Sequence, residues 1–588
     1  MFLATTALQD FWNEDDEILC LGSWCLRRDR IQNWDSLNTK VLPSPWDNRE
    51  RFYAAADYAD RVCDHLLGEL GRILDREHGE KHGLRYWRIL LGPWLLHYIH
   101  SAYDRYVHLQ EAFRVEPGLS TLLLDPSAYT IPVDFPQSYQ TLYEDLGNLQ
   151  LMSEILVAMG HDFPTRLQAK LPEPTPPAAR RWQESALLQD ALFNALGLLS
   201  ARTHTVLCDL YAQKRAWPWR IALRSGFRCL PLRVQHSWPF APDSPDLKRR
   251  SVLSEMETRD EFERIAARLI PNALPSILLE DYAKARETTL KRLPHLPGTI
   301  VTANGLYYNE TLKFLAAAGA ETGRKLVTVT HGGGYGQFRY SGPERHERAI
   351  ADSFFALGSG NNGAPGRFLP NPGLSELAAL RRRAPKERTY AYYIGTEHPR
   401  YLYRFQPSPV GSQWDAYYAW AQRFLSALPE KTRDALITRA PKRSYGQAPR
   451  ERLTAHCPSL RFDDAGPIYP WLAGAKIVVM DYLSTPIMEC LAADIPMIAF
   501  WDPERFEYRP EAAKPFEALE HAGILLRSPE EAARKLAEVF DDPSAWWAQE
   551  NVRKAALLFR DAYAAVSNDW AGDWARVLEE EAWAGRPA

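Results

Sequence analysis

The run Thr330-His331-Gly332-Gly333-Gly334-Tyr335-Gly336 sets an imidazole beside four glycines in five residues. Such a run lets backbone approach a ligand closely and offers a nest of N–H groups to an anion. It follows the apolar stretch 326–330, so His331 is expected at the carboxyl end of a strand, where α/β folds keep their ligands. A tight turn holding a satisfied histidine is the competing reading. Just downstream stand Glu344, His346, Glu347 and Asp352. A carboxylate there suits a general base that takes a proton from an acceptor hydroxyl, Glu347 first and Glu344 as its alternative. The plainer reading is the acidic start of a helix. An HGGG string also occurs in esterase oxyanion loops, but that chemistry needs a G-x-S-x-G elbow, and the chain has none.

A second constellation lies in residues 476–500, KIVVMDYLSTPIMECLAADIPMIAF. Ile477-Val478-Val479 and Pro496-Met497-Ile498-Ala499-Phe500 read as strands, with a helix between them that opens at Ser484-Thr485-Pro486. This is a βαβ unit in a parallel sheet, with a hydroxyl N-cap candidate and an early proline. Free N–H groups and the positive end of the dipole then face the strand exit, a place suited to phosphate. An ordinary capped helix is the alternative. Glu489, one turn after Thr485, could accept from ribose hydroxyls. Two more strand exits carry cations, Gly395-Thr396-Glu397-His398-Pro399-Arg400 and Arg439-Ala440-Pro441-Lys442-Arg443. Arg439 is the better candidate for bidentate anion binding.

Other phosphate and metal chemistry has no support. There is no GxxxxGK[ST] loop, no GxGxxG opening a helix, and nothing closer to a DxD metal site than Asp463-Asp464. No metal and no cofactor are expected. A nucleotide would enter as part of a substrate.

The elements that must hold these residues follow from the rest of the chain. At 588 residues it is long enough for two to four domains, and 46% hydrophobic with 24% charged residues is a globular composition. A net charge of −4 gives no electrostatic case for nucleic acid. Seven cysteines with no CxxC fit reduced thiols in a cytoplasmic protein. The acidic N-terminus lacks the form of a signal peptide, and no apolar run is long enough to span a bilayer, so any membrane association is peripheral.

Residues 17–21 read as a strand opening an N-terminal Rossmann-like sheet. Residues 50–113 read as a long helical region that Gly92-Pro93 should kink or restart. The proline-rich 172–177 reads as a linker, 181–202 as helix, and 205–208, 228–232, 298–302 and 326–330 as strands. Around 357–366 the composition shifts to loop formers. Beyond it strands are expected at 390–394, 435–439, 460–462, 477–480, 497–500 and 524–526, then a tryptophan-rich helical tail. The expected architecture is α/β. An N-terminal Rossmann-like domain spans 1–370 with a helical insertion at about 50–295, a second such domain spans 385–545, and a helical tail spans 546–588.

Two Rossmann-like halves, each presenting a ligand-facing loop, resemble the GT-B glycosyltransferase arrangement. The motif string resembles a transferase family of bacterial surface-polysaccharide and lipopolysaccharide gene clusters. It runs through Leu21-Gly22-Ser23-Trp24-Cys25, Trp46-Asp47-Asn48-Arg49, the long Arg85-Tyr86-Trp87-Arg88-Ile89-Leu90-Leu91-Gly92-Pro93-Trp94, and Asp104-Arg105. It continues through the His331 loop with Glu344 and Glu347, then Asp481-Tyr482, Thr485, Glu489 and Trp546-Trp547. His398-Pro399 and Ser484-Thr485 are similar to the His-Pro and Ser-Ser or Ser-Thr pairs of GT-B enzymes that use CMP- or CDP-activated donors.

The resemblance implies a metal-independent glycosyltransferase at the cytoplasmic face of the membrane. It would move a sugar from a nucleotide-activated donor, a CMP-activated ulosonic acid being one candidate, to a cell-surface or lipid-linked glycan. Gly332, Gly333, Gly334, Tyr335, His398, Arg439, Ser484, Thr485 and Glu489 would bind substrate; His331, Glu347 and Glu344 would be catalytic. A CDP-dependent polyol-phosphate transferase and a non-catalytic glycan- or nucleotide-binding protein are the alternatives.

Overall fold

The computed structural model describes residues 1–27, 38–167, 205–210, 216–234, 238, 240–293, 295–358, 368–385, 387–440 and 445–583. The expected linker at 172–177, the helix at 181–202 and most of the loop at 357–366 lie outside them.

The second half forms as its strand pattern predicts. Ala391–Ile394, Leu436–Thr438, Arg461–Phe462, Ile477–Met480, Met497–Phe500 and Leu525–Leu526 make one six-stranded sheet. Every neighbouring pair is parallel, with Val478 opposite Met497 across the βαβ unit and Ala391 opposite Ile477 beside it. Ile477, Val478, Val479 and Met480 are all buried, as an apolar run covered on both sheet faces should be.

The first half departs from expectation. Its main sheet joins Thr205–Cys208, Cys229–Pro231, Thr299–Thr302, Lys325–Val329 and Ser353–Phe355, all parallel. The early strand Ile18–Cys20 is not part of it. That strand pairs with Phe2–Ala4 and Thr39–Val41 in a separate three-stranded parallel sheet. The span 50–295 is therefore not one helical insertion, since two strands of the main sheet fall within it.

The helix Arg49–His78 is capped by the Asn48 side chain, which accepts from Arg51 N, and it ends at Gly79 with φ 65°. The next helix, Leu84–Val115, continues through Gly92-Pro93, so the restart expected there does not occur. The restart comes earlier, at Gly79, whose left-handed backbone ends the preceding helix. At Gly92 the missing side chain has a different use. A Cβ there would stand 2.3 Å from Cε1 of the buried His346, so this face of the helix lies directly against the helix Gly342–Ile350 that follows the glycine loop.

The chain closes on itself at its end. Helix Trp570–Trp583 returns to the first domain, where Trp570 and Trp574 pack with Leu207, Val301, Val327 and Val329 of its main sheet. Trp574 Nε1 donates to the Pro370 carbonyl at 2.8 Å. Alternate residues of the same strands, Val206, Ile300 and Leu326, face the helical core on the other side. All seven cysteines are buried and unbridged. Among the described residues no helix is long and apolar enough to cross a membrane.

The two helix glycines Gly92 and Gly68 should respond oppositely to alanine. Gly92→Ala is expected to lower stability by about 1–3 kcal/mol through overpacking against His346. Gly68, exposed and with nothing within 4 Å of where a Cβ would stand, should gain about 0.5–1 kcal/mol as alanine. Thermal unfolding midpoints of the two variants check both signs.

Candidate active site

The carboxyl ends of the two main sheets meet. Lys325–Val329 leads into the glycine loop, and Ile477–Met480 leads into the helix Thr485–Ala492. Gly333 N donates to Thr485 Oγ1 at 2.9 Å. A Cβ on Gly333 would come within 2.4 Å of both the Ser484 carbonyl carbon and Thr485 N, so only glycine permits this approach. Gly334, at φ 95°, turns the loop away over Phe338. Ser484 is the N-cap residue of the helix, but its hydroxyl makes no capping bond, contrary to its expected use.

A cavity of about 290 Å³ opens beside this contact. Its walls include His331, Gly332–Tyr335, Asn304, Tyr307 and Tyr308 from the first domain, and Arg404, Gln406, Ser484 and Thr485 from the second half. A further cavity of about 290 Å³ lies at the strand exits of the second sheet, lined by Thr396, Glu397, Arg439, Tyr445 and Asp481 among others. Asp481 is fixed there: Tyr417 donates to its Oδ1 at 2.7 Å, and Tyr393 donates to Oδ2. Burial pushes the Asp481 carboxyl up to about 7, against these two hydrogen bonds.

His331 faces the first cavity with its imidazole backed by Tyr335. The Tyr335 hydroxyl is 3.0 Å from His331 Nδ1 and 3.3 Å from Nε2, and donates to Glu347 Oε1 at 2.9 Å. With the proton on Nδ1, the ring's lone pair sits on Nε2. Burial, and after it the charge of Arg404, pushes His331 down to about 3, so the imidazole is neutral at neutral pH.

The two acidic residues stand elsewhere than their expected role as acceptor base requires. Glu347 is 1% exposed and sits behind Tyr335, outside the cavity wall, with Oε2 lacking a hydrogen-bond partner among the described residues. Burial raises its carboxyl well above the usual range, and nearby Glu344 adds to the rise. It accepts from the Tyr335 hydroxyl and lines neither cavity. Glu344 is fully engaged as a tie. Its Oε2 accepts from Gly336 N at 2.9 Å and from Arg509 of the second domain at 3.0 Å, and its Oε1 from Arg348 at 3.0 Å.

Arg439 also differs from its expected use. Its guanidinium donates to Asp463 at 2.7 Å and to the Gly466 carbonyl at 2.8 Å, so its edge toward an incoming anion is largely occupied. Asp463 in turn accepts from Tyr392 and from Ala440 N. Among the described residues no group of three His, Cys, Asp or Glu side chains is placed to hold a metal ion. Glu489 is buried, raised to about 7 by burial, and in the wall of neither cavity. His398 also lies outside both walls. It stacks on Trp414 and meets Gln406 Nε2 at 3.1 Å through Nδ1.

Two groups of wall residues escape the sequence reading. Asn304, Tyr307 and Tyr308 follow strand Thr299–Thr302, whose exit is as ligand-facing as that of the neighbouring strand before His331. Arg404 follows the His398-Pro399 turn within Tyr401-Leu402-Tyr403-Arg404-Phe405, where an arginine among aromatic residues was the available signal.

Two Rossmann-like domains with opposed strand exits, a cavity between them and a C-terminal helix returning to the first domain make a GT-B-like fold. The chain belongs to the LIC12162 family of transferases, whose family profile matches residues 1–578. No curated protein matches it. Similar solved structures include MurG of Acinetobacter baumannii, at 9% identity and TM-score 0.33, covering 64% of this chain and 99% of that one. They also include a sucrose-phosphate synthase of Thermosynechococcus elongatus, at 14% identity and TM-score 0.32, covering 67% and 92%. The glycosyltransferase SsfS6 of Streptomyces sp. SF2575 is similar at 14% identity and TM-score 0.32, covering 64% and 99%.

The raised Asp481 pKa makes a signed prediction. A carboxyl with a raised folded pKa stabilises the fold below its unfolded pKa of about 3.9, and that contribution is lost as pH rises toward the folded value. The melting temperature of the protein relative to its Asp481→Asn variant should therefore fall steadily from pH 4 to pH 7. A pH-independent difference would mean that Asp481 ionises normally. The slope is the readout, because asparagine cannot accept from both tyrosines and adds a constant offset.

Proposed function

We propose that this transferase is a glycosyltransferase that moves a sugar from a nucleotide-activated donor to a glycan acceptor. The observation that carries the reading is the joint cavity, in which the glycine loop of one sheet and the helix N-terminus of the other bound the same space. Group transfer from a nucleotide needs positive potential at the departing phosphate, and the N–H groups of Gly332 and Gly334 and the start of helix Thr485–Ala492 would supply it without a metal. The nucleoside would occupy the neighbouring cavity at Thr396, Glu397, Arg439 and Tyr445. Glu489, behind Ser484-Thr485, would act from beneath that site. His398 would act through Gln406, and not by touching the nucleotide.

In this reading the neutral imidazole of His331 is the base. A hydroxyl of the acceptor gives its proton to Nε2 as its oxygen bonds to the anomeric carbon. The bond from that carbon to the phosphate oxygen breaks, and the phosphate leaves with the electron pair. Tyr335, itself bonded to Glu347, supports the ring from behind. The acceptor belongs to a surface or lipid-linked glycan and the donor nucleotide is a cytidine phosphate, in keeping with the motif resemblance. The enzyme would then work in the cytoplasm, at the inner face of the membrane.

Thermal stabilisation by CMP, CDP, UDP, GDP and ADP, with EDTA present, tests the donor site. A nucleotide at about 100 times its dissociation constant should add roughly 2.7 kcal/mol. Stabilisation by a cytidine nucleotide is expected. Stabilisation by another nucleotide alone would replace the donor, and none at all would remove the nucleotide site. His331→Ala should then lower turnover at least ~10²-fold while leaving nucleotide affinity unchanged. A phosphodiester product in place of a glycosidic one would reassign the reaction to polyol-phosphate transfer.

A further inference from the structure

The joint cavity contains a cation with no opposite charge. Arg404 is largely enclosed, yet among the described residues no carboxylate lies within ion-pair distance of it. Its surroundings are aromatic hydroxyls: Tyr139, Tyr307 and Tyr308 share the cavity wall with it, and its guanidinium lies 5.1 Å from the Tyr403 ring centre. Behind the loop, burial raises the Glu347 carboxyl well above its usual range. The field of Arg404 reaches further, adding to the lowering of both His331 and His398.

The side chain is also held in place. Nε donates to Gln406 Oε1 at 3.0 Å. Gln406 in turn has His398 Nδ1 at 3.1 Å, Ser408 at 3.0 Å and Tyr403 at 3.3 Å within reach of the two hydrogens on its Nε2. With Nε engaged, the two terminal nitrogens remain as the planar donor pair that suits a carboxylate or phosphate. The buried arginines among the described residues are otherwise satisfied: Arg400 by Asp145, Arg250 by Glu280 and Arg105 by Asp104 as ion pairs, and Arg381 by the carbonyls of Ala473 and Ala475. An enclosed arginine without an acid is costly unless an anion completes it.

We propose that Arg404 binds an anionic group on the sugar itself, so that the sugar accommodated in this cavity is an acidic one, carrying a carboxylate or a phosphate ester. This rests on the glycosyltransferase reading and deepens it. The leaving phosphate is already served by the glycine loop and the helix N-terminus across the cavity, which leaves Arg404 for a second negative charge. The tyrosines around it offer ring faces to the sugar's C–H groups and hydroxyls to its polar edge. The cavity, at about 290 Å³, lies at the lower end of small-molecule sites, in keeping with one sugar ring.

Calorimetric titration of the full chain tests this with N-acetylneuraminate and its neutral methyl ester, and with glucose 6-phosphate and glucose. At least one acidic probe should bind with an affinity at least ~10-fold above that of its neutral counterpart. The carboxylate and phosphate arms separate the two kinds of acid. Arg404→Gln should remove that preference, Arg404→Lys should keep part of it, and nucleotide stabilisation should persist in both variants. Equal binding of acidic and neutral probes, binding of neither, or a preference that survives Arg404→Gln would overturn the proposal. Because the probes carry no nucleotide, failure of the nucleotide site is read separately, from the nucleotide titration.

Discussion

The approach of Gly333 to the Ser484–Thr485 peptide is the contact on which the site depends. It brings the exits of two separately formed sheets within hydrogen-bonding distance, and no residue larger than glycine fits there. Everything around it extends that contact. Glu344 ties the loop at Gly336 N and reaches Arg509 of the second domain. Glu507 accepts from Arg49 and Arg339, binding the same second-domain segment to the first helix and to the stretch after the loop. Arg400 and Tyr401, from the segment bearing Arg404, both bond Asp145 in the helical region.

These ties divide the charged residues into two kinds. Glu344, Glu507 and Asp145 meet arginines across the domain boundary, and Arg439 meets Asp463 within the second domain, so their charges go into position. His331 and Arg404 instead have their chemistry turned toward the cavity. Burial does the remaining work. It keeps His331 neutral and raises the Glu347 carboxyl well above its usual range, in a row of histidine, tyrosine and carboxyl joined by hydrogen bonds. In an enclosed site a fixed charge acts strongly on what enters, and here that charge belongs to Arg404.

Much of the frame was legible in the sequence. The central strands of the second sheet, Ile477–Met480 and Met497–Phe500, are uninterrupted apolar runs, as strands covered on both faces should be, whereas the edge strand Arg461–Phe462 is exposed to half-buried and reads from its place between loop formers. The glycine loop was legible for a local reason: four glycines after a strand have little structural use unless something comes close, and Thr485 does. The errors arise where the neighbour decides. Ile18–Cys20 reads as any buried strand, and nothing local tells which sheet it joins. Glu347 reads as an exposed acid at a helix start, since only the packing of Tyr335 over it reveals its burial. Arg439 and Arg404 look alike in sequence, and only the nearness of Asp463 to one, and of no acid to the other, separates them.

The central claim is that the two strand-exit cavities form one donor site, with phosphate at the Gly333–Thr485 contact. A crystal structure of the protein with a bound nucleoside diphosphate addresses it most directly. The account expects the base beside Thr396 and Tyr445, and the phosphates at the start of helix Thr485–Ala492, within hydrogen-bonding distance of the glycine loop. A nucleotide bound elsewhere, or one whose phosphates point away from that helix, would contradict it.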